Sequence, residues 1–89
     1  MTYQKVNEGT KNAMRLQSIG LVLGTPAGEL KEGDTLMWNF GETSTVSKIT
    51  KQTDKTIWIE ELYETGDKEA LYSRRLKKTR LVCILKPKN

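Results

Sequence analysis

The sequence contains no histidine and only one cysteine, Cys83. Without histidine, the chain has neither the commonest general base nor the commonest metal ligand of proteins. A single cysteine excludes a disulfide within the chain and any zinc site built from paired cysteines. Catalytic triads in which serine or cysteine acts with histidine are excluded because the chain has no histidine. We therefore expect a protein that is not an enzyme and that binds no metal or other cofactor.

Apolar residues are too few and too scattered for a membrane protein. They make up 36% of the 89 residues, and no apolar run approaches the roughly 18 residues of a membrane span. The first thirty residues lack the basic start, apolar block and small-residue cleavage site of a signal peptide. We expect one globular domain that is located in the cytoplasm and has no membrane partner.

Positive charge is concentrated in the last quarter of the chain. The whole sequence has a net charge of +4, whereas residues 67–89 have eight Lys or Arg and two Asp or Glu, a net charge of +6. The centre of this region contains five cations: Arg74, Arg75, Lys77, Lys78 and Arg80. Such a cluster attracts phosphate or carboxylate groups. Alternatively, these side chains are simply solvated, or they pair with acids such as Glu29, Glu32 or Glu60-Glu61.

The N-terminal part, residues 1–24, has weak structural signals. Residues 1–12 show no apolar periodicity, and we expect them to be mobile. Thr10 is placed to cap a short helix, although an extended arm fits the pattern nearly as well. The apolar run Leu21-Val22-Leu23 suits a short buried strand. We expect this part to pack as an arm or short helix, with a strand, on a second unit formed by residues 25–89.

Residues 25–89 are typical of short strands joined by turns. Alternation places Leu36, Trp38 and Phe40 on one face of a strand, where they would belong to the core. Five strands are expected, over 35–40, 43–52 with a bulge near Ser47-Lys48, 56–63, 70–73 and 81–85, and a 3₁₀ turn over 76–79. The last strand is apolar on both faces, and residues 14–23 are available to cover its outer face. The pattern predicts an all-β fold, a small antiparallel five-stranded barrel, because closure removes exposed sheet edges.

Trp58 is the most informative aromatic residue. Ile57 and Ile59 flank it, so the indole faces outward if both isoleucines face the core. An exposed tryptophan beside cations suits base stacking, and it equally suits a protein interface. In the alternative interpretation, Trp58 lies under the N-terminal segment as part of a second small core.

The acidic residues and the cysteine are interpreted as structural. Glu60 and Glu61 are adjacent on a strand, so they point to opposite faces and cannot share a catalytic site. Together with Glu64 they are expected to form a solvated face. Cys83 is expected to be an inert thiol in the core.

The order of these elements resembles that of SH3-like barrels. The spacing Leu30-x-x-Gly33-Asp34-x-Leu36, followed by Gly41 and Val46-x-x-Ile49, is similar to the opening of KOW- and Tudor-like barrels. From Thr25 to Leu85 the chain also resembles small proteins of unknown function from Gram-positive phages and mobile elements. The likeness lies in a Pro-Ala-x-x-Leu-Lys-x-Gly-Asp segment from Pro26, a Trp-Asn-x-Gly turn from Trp38 and an Arg-Arg-x-x-x-x-Arg-Leu-Val ending from Arg74. The resemblance implies a five-stranded SH3-like barrel and, for a phage-encoded protein, the host cytoplasm.

Two functional hypotheses follow from these residues. The first is a non-enzymatic module that binds DNA or RNA, with Trp58 stacking on a base and phosphates held by Arg74, Arg75, Lys77, Lys78 and Arg80. The second is a protein-interaction or inhibitor module of phage or mobile-element origin, for example an anti-defence protein, which binds a host protein through the same surface.

Overall fold

The computed structural model describes residues 2–65 and 68–86. Its strands are β1 (Ala13–Leu16), β2 (Gly20–Leu23), β3 (Thr25–Pro26), β4 (Thr35–Met37), β5 (Thr43–Gln52), β6 (Thr56–Thr65), β7 (Lys68–Lys77) and β8 (Leu81–Leu85). The other regular element is a 3₁₀ turn over Ala27–Glu29. The prediction of an all-β fold is therefore confirmed. In the described part of the chain, no helix is long and apolar enough to cross a bilayer.

The strands form two antiparallel sheets. β1 and β2 make a hairpin, and the other six strands have the order β3-β8-β4-β5-β6-β7. Among the described residues no ladder joins β3 to β7, so the large sheet is open and the expected closed barrel is absent. The strand β3 has only two residues and does not pair with β7, the strand at the opposite edge. Instead, Ala27 N–H donates to Arg80 O at 2.8 Å, and Gly28 N–H donates to Lys78 O at 3.0 Å.

The strand β7 is much longer than the sequence suggested. It pairs with β6 in unbroken register from Lys68, opposite Thr65, to Lys77, opposite Thr56. The continuous pairing extends the expected strand over 70–73 to ten residues, so the 3₁₀ turn predicted at 76–79 is wrong: residues 76 and 77 belong to β7, and a turn over 78–79 follows. Three of the five predicted cations, Arg74, Arg75 and Lys77, consequently lie on a strand, where adjacent side chains point to opposite faces.

The N-terminal segment contains a β-hairpin: the predicted strand over residues 21–23 is confirmed as part of β2, whereas the predicted short helix is wrong, because that stretch forms β1. Met14 and Leu16 are two residues apart, and both contact one cluster of apolar side chains, a strand periodicity that a helix would not give. The preceding chain is also bonded to the sheets. Thr2 exchanges backbone hydrogen bonds with Lys86, and Leu23 N–H donates to Gln4 O at 2.8 Å. The beginning of the predicted mobile stretch is thus held by backbone pairing.

Two apolar clusters stabilise the fold. The main core lies on one face of the large sheet and consists of Ala27, Leu30, Leu36, Val46, Ile57, Ile59, Leu76 and Val82. The second lies under the β1–β2 hairpin and consists of Leu16, Val22, Met37 and Cys83. Because adjacent strand residues face opposite sides, Leu36 and Met37 enter different clusters, as do Val82 and Cys83. The prediction that residues 14–23 cover the outer face of the last strand is confirmed.

Phe40 is not part of the core, contrary to the sequence-based expectation. Its side chain is 62% exposed. The strand β4 ends at Met37, and a turn closed by a 2.8 Å bond from Trp38 N–H to Glu42 O breaks the alternation before Phe40 is reached. Trp38 itself packs partly buried against the main core, in agreement with the prediction.

The predicted bulge in β5 is confirmed. The register between β5 and β6 shifts between Val46 and Lys48, and again between Ile49 and Lys51. The Ile49 N–H, next to both shifts, donates to Glu32 Oε2 at 2.9 Å. The bulges increase the local twist of the strand, and an acid of the preceding loop satisfies a backbone donor beside them.

Candidate nucleic-acid interface

Three of the five predicted cations line one depression at the end of β7. Arg75, Lys77 and Arg80 are exposed and surround it with Thr56, Leu76 and Thr79, and its volume is about 660 Å³. Alternation along β7 brings Arg75 and Lys77 to the same face. The turn that follows is closed by Arg80 N–H, which donates to Lys77 O at 3.0 Å. These three cations therefore form one exposed basic cluster.

Arg74 does not belong to that cluster, which corrects its place in the predicted site. It faces the other side of β7, where its Nε donates to Glu61 Oε2 at 2.7 Å. Its guanidinium carbon lies 4.1 Å from the centre of the Trp38 ring, a cation–π contact. Burial disfavours the charged guanidinium, but the hydrogen bond and charge of Glu61 outweigh this effect and raise the pKa of Arg74. Arg74 is thus occupied by an internal partner.

Glu61 is fully buried, so the expectation that it lies on a solvated face is wrong. Ser44 Oγ donates to its Oε1 at 3.1 Å and in turn accepts a 2.9 Å hydrogen bond from Trp38 Nε1. Glu61 continues the inward alternation of Ile57 and Ile59, a pattern that was visible in the sequence. The alternative that the cations pair with acids such as Glu60-Glu61 is therefore confirmed for Arg74, which reaches Glu61 from a diagonal position on the next strand.

Lys78 also lies outside the group of residues that line the depression. The Cβ, Cγ and Cδ atoms of Lys78 lie 3.1–3.4 Å from the position that a Cβ on Gly28 would take. The aliphatic stem of Lys78 therefore packs over Gly28, and the residue is partly buried. This close approach corrects the prediction that all five cations gather at one surface.

Trp58 lies on the outer face of the large sheet, between cations on both neighbouring strands. Its register partners are Lys51 on β5 and Arg75 on β7. The Lys51 Nζ lies 5.0 Å from the centre of the indole ring. Lys78 lies opposite Lys55 and donates its N–H to Lys55 O, so these two residues form a hydrogen-bonded pair. Hydrogen-bonded and non-hydrogen-bonded pairs alternate along an antiparallel ladder, so Trp58 and Arg75, three positions further along, form a non-hydrogen-bonded pair. Side chains approach each other most closely in pairs of this kind.

The outward orientation of Trp58 agrees with the prediction. Ile57 and Ile59 are each 1% exposed and belong to the main core. The alternative, that Trp58 forms a second small core under the N-terminal segment, is wrong, because that core is built from β1, β2, β4 and β8. The indole remains partly accessible on the same face as Arg75.

These observations define one surface, which we call the basic face: Lys51, Trp58, Arg75, Lys77 and Arg80. Its nearest acid on the same side of β6 is Glu60, which lies opposite Lys48 in the ladder. Four cations and one aromatic ring therefore lie close together, and Glu60 is the neighbouring acid on β6. Such a surface is suited to phosphates, through charge-assisted hydrogen bonds, and to flat apolar groups, through the indole.

The rest of the described chain offers little other chemistry. No group of three or more Cys, Asp or Glu side chains within residues 2–65 and 68–86 is placed to hold a metal ion. Cys83 is buried in the second core, as predicted, and burial raises the pKa of its thiol. Comparisons of the chain with protein-family models, curated proteins and solved structures find no match. The basic face is therefore the feature of the described chain that points most directly to a function.

Proposed function

We propose that the protein is a non-enzymatic nucleic-acid-binding module and that the basic face is its binding surface. The observation that supports this most directly is the row Lys51–Trp58–Arg75, in which three adjacent strands bring a cation, an indole and a second cation together. The cations neutralise phosphates, and the indole stacks on a base. Lys77 and Arg80 extend the phosphate-binding part of the surface along the depression.

The number of free cations sets the expected salt dependence. If all four cations of the basic face contact phosphates, the logarithm of the affinity for a single strand falls with the logarithm of salt with a slope of about −3. Affinity should then drop by about fiftyfold between 50 and 200 mM salt. Arg74 contributes nothing to this slope, because its partner is Glu61.

A direct titration tests the proposal. Fluorescence anisotropy with labelled single-stranded DNA, single-stranded RNA and duplex DNA of the same sequence is measured from about 50 to 200 mM salt. We expect binding that weakens steeply with salt. No binding to any of the three at the lowest salt, or an affinity that does not change with salt, would overturn the proposal.

A second candidate function is a protein-interaction or inhibitor module that binds a host protein through the same face. The observation in its favour is the position of Trp58 beside Arg75, since tryptophan and arginine are enriched at energetic centres of protein interfaces. A pull-down from host lysate distinguishes the two candidates. One stoichiometric protein, captured equally with and without nuclease, would support this second function and contradict the first.

We also propose that strands β4 to β8 form an SH3-like half-barrel related to the phage and mobile-element proteins that the sequence resembles. The order β8-β4-β5-β6-β7 supports this, because the last strand lies beside the first strand of the meander. Gly33 and Gly41, two residues of the shared motifs, have φ values of 96° and 83°, which favour glycine. This origin would place the protein in the host cytoplasm.

A further inference from the structure

The strand β7 forms a long open edge of the large sheet. Its only strand neighbour in the described topology is β6, whereas β3 at the opposite edge has two residues. The bond from Lys78 N–H to the opposite Lys55 O fixes which residues pair inward, because hydrogen-bonded pairs alternate along an antiparallel ladder. Even-numbered residues of β7 therefore bond to β6. The N–H and C=O groups of the odd-numbered residues from Glu69 to Arg75 point to the open edge.

These edge groups have no other backbone partner within residues 2–65 and 68–86. The 3₁₀ turn bonds only beyond the end of the strand, to Lys78 and Arg80. The middle of the edge is flanked by two exposed apolar side chains, Leu71 at 55% and Tyr72 at 57%. An open edge of this length is a template for pairing with another strand.

Two acids beside this edge also lack a cationic partner in the described chain. Glu64 and Glu69 lie directly opposite each other in the ladder, both exposed, in a non-hydrogen-bonded pair where side chains are closest. Like charges in that position are destabilising. Neither acid has an ion-pair partner in the described chain. Arg75 lies on the same face of β7, six residues further along.

We propose that two copies of this chain pair through their β7 edges, antiparallel and two-fold symmetric, with Tyr72 opposite Tyr72 of the second copy. In this register Glu69 faces Arg75 of the second copy, and symmetry makes the contact twice. Leu71 faces Ser73 of the second copy. Odd-numbered residues then meet odd-numbered residues, so the edge-facing N–H and C=O groups of both copies bond to each other.

Neighbouring registers that keep the same faces aligned are less favourable. With Leu71 at the two-fold axis, Lys68 would face Arg74 of the second copy. With Ser73 at the axis, Glu69 would face Lys77 of the second copy, but this attraction would be offset because Lys68 would face Lys78. Like charges directly opposite destabilise strand pairing, so the register centred on Tyr72 is preferred. Pairing of one strand buries less area than a standard interface, and we expect a dimer that forms at high protein concentration.

Sedimentation velocity from about 10 to 500 µM protein tests the dimer, because its population follows concentration. We expect the mass to rise from 10.1 kDa towards twice that value. Ser73→Pro removes an edge-facing N–H that has no partner in the monomer, a position where a strand tolerates proline. This variant should stay monomeric, while the control Ser73→Ala should behave as the wild type. A wild-type monomer at every concentration, or a Ser73→Pro dimer, would overturn the proposal.

Charge exchange tests the register without a backbone change. Glu69→Arg and Arg75→Glu should each weaken the dimer by about tenfold, since each places like charges opposite. The double variant restores opposite charges and should recover most of the association. Failure of the double variant to recover would contradict the Tyr72-centred register.

The dimer proposal and the nucleic-acid proposal can be tested independently. Ser73→Pro leaves every cation of the basic face in place, so it should lose the dimer and still bind oligonucleotide at least as well as the wild type. Binding is expected to be no weaker because Glu69 of the second copy no longer approaches Arg75. A Ser73→Pro monomer that has also lost oligonucleotide binding would contradict this separation.

Discussion

Arg74 and Arg75 are adjacent in the chain, and β7 directs their side chains to opposite faces of the sheet. Arg74 lies 2.7 Å from the buried carboxylate of Glu61, whereas Arg75 lies beside Trp58 on the outer face. The first arginine therefore belongs to the interior of the fold, and the second belongs to the proposed binding surface. Variants at these neighbouring positions should have different effects on stability and on binding.

Removal of Arg74 should destabilise the protein more than neutralisation of Glu61. Arg74→Met leaves a fully buried carboxylate without its cation, and we expect a loss of about 3 kcal/mol in the free energy of unfolding. Glu61→Gln leaves a guanidinium that is 34% exposed and can reach water, so we expect a loss of only about 1–2 kcal/mol. Urea denaturation at neutral pH measures both. A larger loss for Glu61→Gln would contradict the proposed role of the pair.

Trp58 should contribute to the affinity for single strands with little effect on folding. Loss of one stacked base costs about 1–3 kcal/mol, so Trp58→Ala should weaken single-strand binding by roughly tenfold or more. Trp58→Phe keeps an aromatic ring and serves as the control, with binding close to wild type. Anisotropy titrations compare the three proteins, and circular dichroism checks their fold. Equal affinities of Trp58→Ala and wild type would exclude stacking at this position.

Replacement of Gly24 by alanine should destabilise the fold, because Gly24 lies in a crowded position at the junction of β2 and β3. A Cβ there would lie 2.8 Å from Met14 Sδ and 3.0 Å from Leu81 Cβ. Overpacking of this kind costs about 1–3 kcal/mol. Gly28→Ala is the matched control, because the new Cβ would approach no atom closer than 3.1 Å, the distance to Lys78 Cβ. Thermal unfolding should show a clear loss for Gly24→Ala and a small one for Gly28→Ala; the reverse order would be inconsistent with the packing.

Cys83 should be unreactive in the folded protein. The thiol is 1% exposed and burial raises its pKa, which lowers the fraction of reactive thiolate. We expect labelling by a thiol reagent at mildly alkaline pH to be at least about a hundredfold slower in buffer than in denaturing urea, since reaction requires opening of the hairpin. Equal rates in the two solvents would show that the β1–β2 hairpin does not protect β8.

The sequence predicted the parts of the fold that depend on local periodicity. The strand over residues 56–63, the bulge near Ser47-Lys48 and the two-sided burial of residues 81–85 all follow from the alternation of apolar residues or from a break in it. The prediction that residues 14–23 cover the last strand followed from the apolar residues on both faces of that strand. These features require no knowledge of which strands are neighbours.

The errors came from long-range pairing. The ten-residue length of β7 depends on β6, and the partner of Arg74 depends on a diagonal contact between those two strands. The N-terminal hairpin forms because Met14 and Leu16 find an apolar partner surface on β4 and β8. Periodicity over so few residues did not separate that hairpin from a short helix. The predicted basic cluster was accordingly too large, because only Arg75, Lys77 and Arg80 of its five cations line the depression, and two of these three lie within β7.

The most direct test of the binding surface compares two variants that lose the same charge. The variant Arg75→Gln/Lys77→Gln/Arg80→Gln removes the cations of the depression, and Lys5→Gln/Lys11→Gln/Lys31→Gln removes three exposed cations outside it. Affinity for a labelled single strand is measured against salt for both. We predict that the first variant loses about two units of salt slope and at least tenfold in affinity, while the second stays close to wild type. Equal losses in both variants would show that binding follows net charge alone and would contradict a specific basic face.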